Sequence, residues 1–154
     1  MKLSNKTKYA LKAISVLARE YGKGPLQIAD LAARERIPKK FLETILLSLR
    51  NRGILQSRKG KGGGYLLNKP PREIGIGGIV RIFEGSLAPV PCVAAAPVRK
   101  CEECRDVTAC GIRLVMQDAH DALANVLDAT TLADMVDRED SARRKKRDIL
   151  TFEI

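Results

Sequence analysis

The chain has no tryptophan, a single histidine and only 4% aromatic residues in 154. Its core must therefore be built from Leu, Ile, Val and Ala, which favours helices. No apolar run reaches the roughly 18 residues that a membrane-spanning helix needs, so none is expected. The opening MKLSNKTKYALKAI alternates lysines with apolar residues. It offers neither a continuous apolar stretch nor a small-residue cleavage site, so no signal peptide is expected and the expected location is cytoplasmic. The GxxxxGK[ST] pattern of a nucleotide-binding loop is missing, although glycines crowd residues 60–64. No cysteine lies outside the nineteen residues from Cys92 to Cys110. Structural disulfides are rare in reducing compartments, so cysteines confined in this way point to metal ligation or redox sensing. The lone histidine, His120, reads as a surface residue rather than a ligand.

What the chain does have is positive charge, unevenly placed. The net charge is +10; residues 1–81 carry 18 Lys and Arg against 5 Asp and Glu, whereas residues 82–154 carry 10 against 13. A basic half joined to a mildly acidic one is the electrostatic signature of a nucleic-acid binder.

The pattern along the basic half specifies its elements. Ser4 can cap a helix from Asn5, on which Ala10, Ala13, Ile14, Leu17 and Tyr21 recur at helical spacing before Gly22. A short apolar stripe of Ile28, Leu31 and Ala32 follows Gly24-Pro25, without a good capping residue. Pro38 then suits the first position of a helix whose buried face is Phe41, Leu42, Ile45, Leu46 and Leu49, ending at Gly53. The two short helices meet at Arg36-Ile37-Pro38 as in a helix-turn-helix. The second exposes Lys39, Lys40, Glu43, Thr44, Ser48 and Arg50 to Arg52. Strands are predicted at Ile54–Ser57 and Gly64–Leu67, joined by a turn bearing Arg58, Lys59 and Lys61, which together form a wing. Pro70-Pro71 breaks the chain, and a short helix over Ile76–Glu84 precedes Gly85.

Residues 86–110 show no apolar period and read as a loop. Ile112, Val115, Met116, Ala119, Leu123, Val126 and Leu127 then follow the three-four spacing of a long helix that pairs with a copy of itself. The expected organisation is a DNA-binding domain at 1–85, a cysteine-containing sensor loop at 86–110, a dimerisation helix at 111–135 and a charged, disordered tail at 136–154, whose RRKKR run adds nonspecific affinity for DNA. The fold class is mainly α: a winged helix-turn-helix with a two-stranded wing and a long C-terminal dimerisation helix.

The segments YALKAISVLA, IPKKFLETILLSLRNRGIL, GKGGGYLL and TTLADM resemble the IscR/NsrR family of winged-helix regulators (the Rrf-two family), over residues 1 to about 137. The resemblance implies a homodimer that binds a palindromic operator in double-stranded DNA, an iron–sulfur cluster in the loop, and transcriptional repression rather than enzymatic activity. It places Lys39 to Arg52 in the major groove. Glu43 stands where IscR-type members carry a base-reading glutamate, and Lys59 where they carry a minor-groove arginine; Arg58 and Lys61 flank it. Pairing of Glu43 with Lys39 or Lys40 on its own helix is the alternative. The chain departs from the family at two ligand positions: Lys8 replaces an aspartate on the first helix, and Arg113 replaces a histidine after the last cysteine.

Thiolates are the preferred ligands of iron–sulfur clusters, and Cys92, Cys101, Cys104 and Cys110 suffice for a 2Fe–2S or a 4Fe–4S unit, or three of them with another ligand completing the site. The flanking Arg99, Lys100 and Arg105 are expected to favour thiolates. Three alternatives remain. A zinc site usually shows two short-spaced pairs, whereas only the Cys101–Cys104 pair is present here. That same pair could act as a metal-free disulfide switch. A CxxC redox enzyme would need a βαβ scaffold, and none is visible.

Overall fold

Helix α1 (Asn5–Arg19) starts at the predicted cap: the Ser4 hydroxyl accepts from the Thr7 amide at 3.2 Å. The start is tied further by Glu84, whose Oε1 accepts from the Ser4 amide at 2.8 Å and from the Thr7 hydroxyl. These bonds, that from Thr7 foremost, hold the Glu84 carboxyl below the usual range. Ala10, Ala13, Ile14 and Leu17 are buried as their spacing predicts, but Tyr21 is 46% exposed, because α1 ends two residues before it. The computed structural model describes residues 2–94, 99–102 and 104–152. Parts of the predicted cysteine loop (95–98 and 103) and the last two tail residues lie outside the described residues.

Helix α2 (Ile28–Glu35) begins without a side-chain cap and ends at Arg36, in the left-handed region at φ 54°. The Ile37 amide closes the end by donating to the Ala32 carbonyl at 3.0 Å, and the buried Ile37 side chain anchors the turn. Helix α3 (Lys39–Asn51) follows, with Pro38 at its cap position rather than inside the helix. Leu42, Ile45, Leu46 and Leu49 are fully buried. Phe41, expected on that face, is 37% exposed and instead meets Tyr9 edge-on at 5.7 Å.

Strands β1 (Leu55–Arg58) and β2 (Gly64–Leu67) pair antiparallel, Leu55 opposite Leu67 and Arg58 opposite Gly64. The first strand starts one residue later than its apolar pattern suggests, since Ile54 donates back to the Leu49 carbonyl at 3.0 Å. Leu26 adds an isolated antiparallel bridge to β2 through paired bonds with Tyr65 of 2.9 and 2.8 Å. The glycine run has a steric basis. A Cβ at Gly63 would overlap the Arg58 carbonyl, and one at Gly64 the Leu26 carbonyl.

After a 3-10 turn at Pro71–Glu73, helix α4 (Ile76–Glu84) packs against α1. Helix α5 (Gly111–Ala129) returns across α4, and α6 (Leu132–Phe152) crosses α1. The expected organisation is corrected here. The helix expected over 111–135 ends at Ala129, and the residues described from 136 onward belong to a helix rather than a disordered tail. Thr131 and Asp134 form a reciprocal cap that starts α6. The Thr131 amide donates to Asp134 Oδ2 at 2.9 Å, and the Asp134 amide donates to the Thr131 hydroxyl at 3.1 Å. Leu132 is wholly buried, and Arg19 donates to Glu139 and Asp140 at 2.9 and 2.7 Å. Burial of a leucine contributes about 1.5–3 kcal/mol; the half-exposed ion pairs add at most about 1 kcal/mol. Apolar anchoring therefore holds α6, and charge orients it. Among the described residues no helix is long and apolar enough to cross a membrane.

Gly64→Ala is expected to destabilise the chain by about 1–3 kcal/mol, the usual cost of forcing atoms into a filled space. Urea denaturation would read this directly. Gly62→Ala, where no atom lies within 4 Å of an added Cβ, should cost less, through backbone conformation alone.

Candidate nucleic-acid interface and cysteine loop

With Leu42, Ile45, Leu46 and Leu49 turned inward, α3 leaves Lys39, Lys40, Glu43, Thr44 and Arg50 on its outer face. Arg52 caps its end, Arg58 closes β1, and Lys59 and Lys61 occupy the wing turn; all of them are exposed. The helix and wing are held in fixed relation. Gly53 makes the corner at φ 72°, Asn68 Nδ2 donates to its carbonyl at 3.1 Å, and Arg50 reaches Ser57 Oγ at 3.5 Å. Among the described residues, none of these lysines and arginines forms an ion pair, and Glu43 pairs with neither Lys39 nor Lys40. Cations of the body are engaged by contrast: Lys12 with Glu35, Arg34 and Lys23 with Glu20, Arg81 with Asp128. A surface of uncompensated cations around one free carboxylate is suited to phosphate contact with a single base-edge acceptor among it.

Sequence reasoning missed Leu47. This residue is 45% exposed on α3, outside the buried face. Its signal was available: the run Ile45-Leu46-Leu47 spans more of the helix circumference than one apolar stripe covers, so one of the three must face out.

The cysteines fall into two groups. Cys101, Cys104 and Cys110 line one open depression of about 410 Å³ with Arg105, Asp106, Ala109 and Ile112. A tight turn sets the first two, the Cys104 amide donating to the Cys101 carbonyl at 3.1 Å. Cys110 is the N-cap of α5, a helix start with no side-chain cap and no acidic residue in its first turn. Such an end carries unsatisfied amides and partial positive charge, which favour an anion placed on it. Cys92 sits apart in a turn whose Val93 is buried, and Arg113 Nε donates to its carbonyl at 3.2 Å. This bond ties the Cys92 turn to the first turn of α5. Arg113 thus stands where the family resemblance expects a histidine ligand, but it binds protein backbone.

Burial foremost, then the neighbouring Cys101 and Cys110, pushes the Cys104 thiol above its ordinary range, with Lys100 pulling the other way. The expectation that flanking cations dominate does not hold at this residue, where burial and the neighbouring thiols outweigh Lys100. All four cysteines are free. Among the described residues no three His, Cys, Asp or Glu side chains are grouped so as to hold a metal ion. The donor chemistry nevertheless fits an iron–sulfur cluster: thiols in one open depression, beside a helix start that favours negative charge. His120 lies elsewhere on α5, with Nδ1 at 3.0 Å from Asp121.

The comparisons with known proteins agree with this architecture. The Rrf2 family, described as iron-dependent transcriptional regulators, matches residues 3–138. An rrf2-like HTH-type transcriptional regulator of Rhodobacter capsulatus is 40% identical over 137 residues, covering 87% of this chain and 91% of the relative. Among solved structures, CymR, described as the global cysteine regulator of Bacillus subtilis, superposes with a TM-score of 0.75 at 31% identity, over 90% of this chain and 98% of that one. IscR of T. potens superposes with a TM-score of 0.71 at 31% identity, over 92% and 90%. The chain therefore belongs to the Rrf2 family of winged-helix, DNA-binding transcriptional regulators, which are not enzymes.

Proposed function

We propose that this chain is a homodimeric cytoplasmic repressor that reads a palindromic operator with α3 and the wing, and that its cysteine loop holds a 2Fe–2S or 4Fe–4S cluster. Cys92, Cys101, Cys104 and Cys110 are its ligands, and the regulator reports redox, iron or cluster status. The observation that carries the cluster reading is the shared depression of Cys101, Cys104 and Cys110 against an uncapped helix start. A bound cluster would supply a group sensitive to oxidants, iron and nitric oxide. The chain's own residues supply the connection: Cys110 opens α5, and Arg113 joins its first turn to the Cys92 turn.

A second copy of this chain is the partner that the outer face of α5 fits. Ile112, Val115 and Val126 are 71%, 62% and 60% exposed, and with exposed Ala119 and Ala122 they keep three-four spacing along one line. Leu123 and Leu127, expected in the same stripe, pack instead against the core. That division into an inner and an outer apolar face supports pairing through α5. Two such readers side by side would meet half-sites about one helical turn of DNA apart.

A second reading, regulation by thiol oxidation without metal, draws on the Cys101–Cys104 turn. Iron and acid-labile sulfide, measured on protein purified without oxygen, separate the two. Iron and sulfide in the ratio of a 2Fe–2S or 4Fe–4S unit support the cluster. Free thiols with neither retire it, and zinc in their place would make the loop a structural staple.

The DNA and dimer assignments yield their own expectations. Glu43→Ala should broaden sequence preference while leaving affinity for random DNA nearly unchanged. Lys59→Ala should weaken all duplexes alike and lower the salt-dependence slope by about one. Val126→Asp should shift the chain toward monomer in analytical ultracentrifugation while the helical circular dichroism persists; a dimer that survives it would place the interface elsewhere.

A further inference from the structure

Leu47 lies at the centre of the exposed face of α3. Residues three and four positions away on a helix are its surface neighbours, here Glu43, Thr44, Arg50 and Asn51, all of them exposed. Leu47, 45% exposed among charged and polar groups, stands outside the buried core. Its neighbour Thr44 donates its only hydroxyl proton to the Phe41 carbonyl at 2.8 Å, and its own carbonyl accepts from the Ser48 hydroxyl at 2.8 Å. Thr44 therefore has no proton left to give a base and offers a methyl group instead. The outer face of the helix thus holds a small apolar spot, Leu47 with the Thr44 methyl, flanked by the Glu43 carboxylate and the Arg50 guanidinium.

In the major groove the one apolar feature that distinguishes base pairs is the C5-methyl of thymine. We propose that Leu47, supported by Thr44, is a specificity-determining residue that contacts a thymine methyl in each half-site, beside the base read by Glu43. This assignment rests on α3 being the major-groove reader. Polar side chains at this spot would specify hydrogen-bonding edges; an apolar one favours thymine and loses contact when the methyl is absent.

The test uses the full-length chain and its preferred duplex, selected from a randomised pool. Each thymine of a half-site is replaced in turn by deoxyuridine, which removes only the methyl. For the wild type, at least one replacement per half-site should weaken binding about three- to fivefold, the effect of one buried methyl-sized group. Leu47→Ala should bind with little discrimination between thymine and deoxyuridine at that position while keeping the sensitivities elsewhere, and Leu47→Met should retain the discrimination. Undiminished discrimination in Leu47→Ala, or a wild type indifferent to every replacement, overturns the proposal alone. A wild type that selects no sequence removes base reading by α3 and this contact with it. Leu47 is exposed, so the substitutions should leave thermal unfolding close to wild type; a Leu47→Ala chain that unfolds early would place the side chain in the core and likewise overturn it.

Discussion

The structure turns on a short backbone clip between the entry to α4 and the junction of α5 with α6. Ile76 donates to the Thr130 carbonyl at 2.9 Å, and Leu132 donates to the Ile74 carbonyl at 2.8 Å. Each bond contributes about 1 kcal/mol net. Their larger effect is to place Leu132, fully buried, in the same core as Ile14, Ile79 and Leu46. The winged-helix body and the C-terminal helices therefore share one core. Gly77 serves the same junction: a Cβ there would overlap the Asp128 carboxylate, which accepts from Arg81 Nη2 at 2.8 Å. The small residue on α4 makes room for the ion pair that fastens α5.

Charge is partitioned accordingly. Where elements pack, cations are matched with carboxylates, and Arg19 with its two acidic partners guides α6 across α1. On α3 and the wing they stand unmatched. Like charges held together repel, and the folded chain tolerates this because water and counterions screen the exposed side chains. When such a surface neutralises the phosphates of a polyanion, the cations condensed on that polyanion are released, which supplies sequence-independent affinity. One core thus carries two surfaces of opposite electrostatic purpose, one neutralised for folding and one left charged for binding.

The start of α1, the end of α4 and the position of the wing could be read from the residues because each is punctuated locally, by Ser4, by Gly85 and by the Gly62–Gly64 run. That the nine candidates are exposed could be read too, on α3 because a helix with an apolar stripe must expose the remainder and on the wing because its turn is charged. What escaped was set by competition between distant segments. The break at Thr130 interrupts a helical pattern that continues through Ala129 into Leu132. Only the Thr131–Asp134 spacing betrays it, and its strength depends on the partner bonds from residues 74 and 76. Tyr21 and Phe41 look like core by type and spacing, yet α1 ends before one and the other finds Tyr9 at the surface. The cysteine spacing is open to several chemistries, and nothing local reveals that Arg113 reaches back twenty-one residues to the Cys92 carbonyl.

The attachment of α5 at both ends has a mechanical consequence. At its C-terminal end the helix is fixed to the body by Asp128 and Thr130, and at its N-terminal end it is joined to the cysteine loop by Cys110 and Arg113. Nineteen residues separate these ends, a lever arm of roughly 28 Å at 1.5 Å per residue. A displacement of about 2 Å at the cysteines therefore corresponds to a tilt of only about 4° at the fulcrum. The geometry of the arm thus relates a shift of a few ångströms at Cys110 to a rotation of a few degrees about the attachment at Asp128 and Thr130.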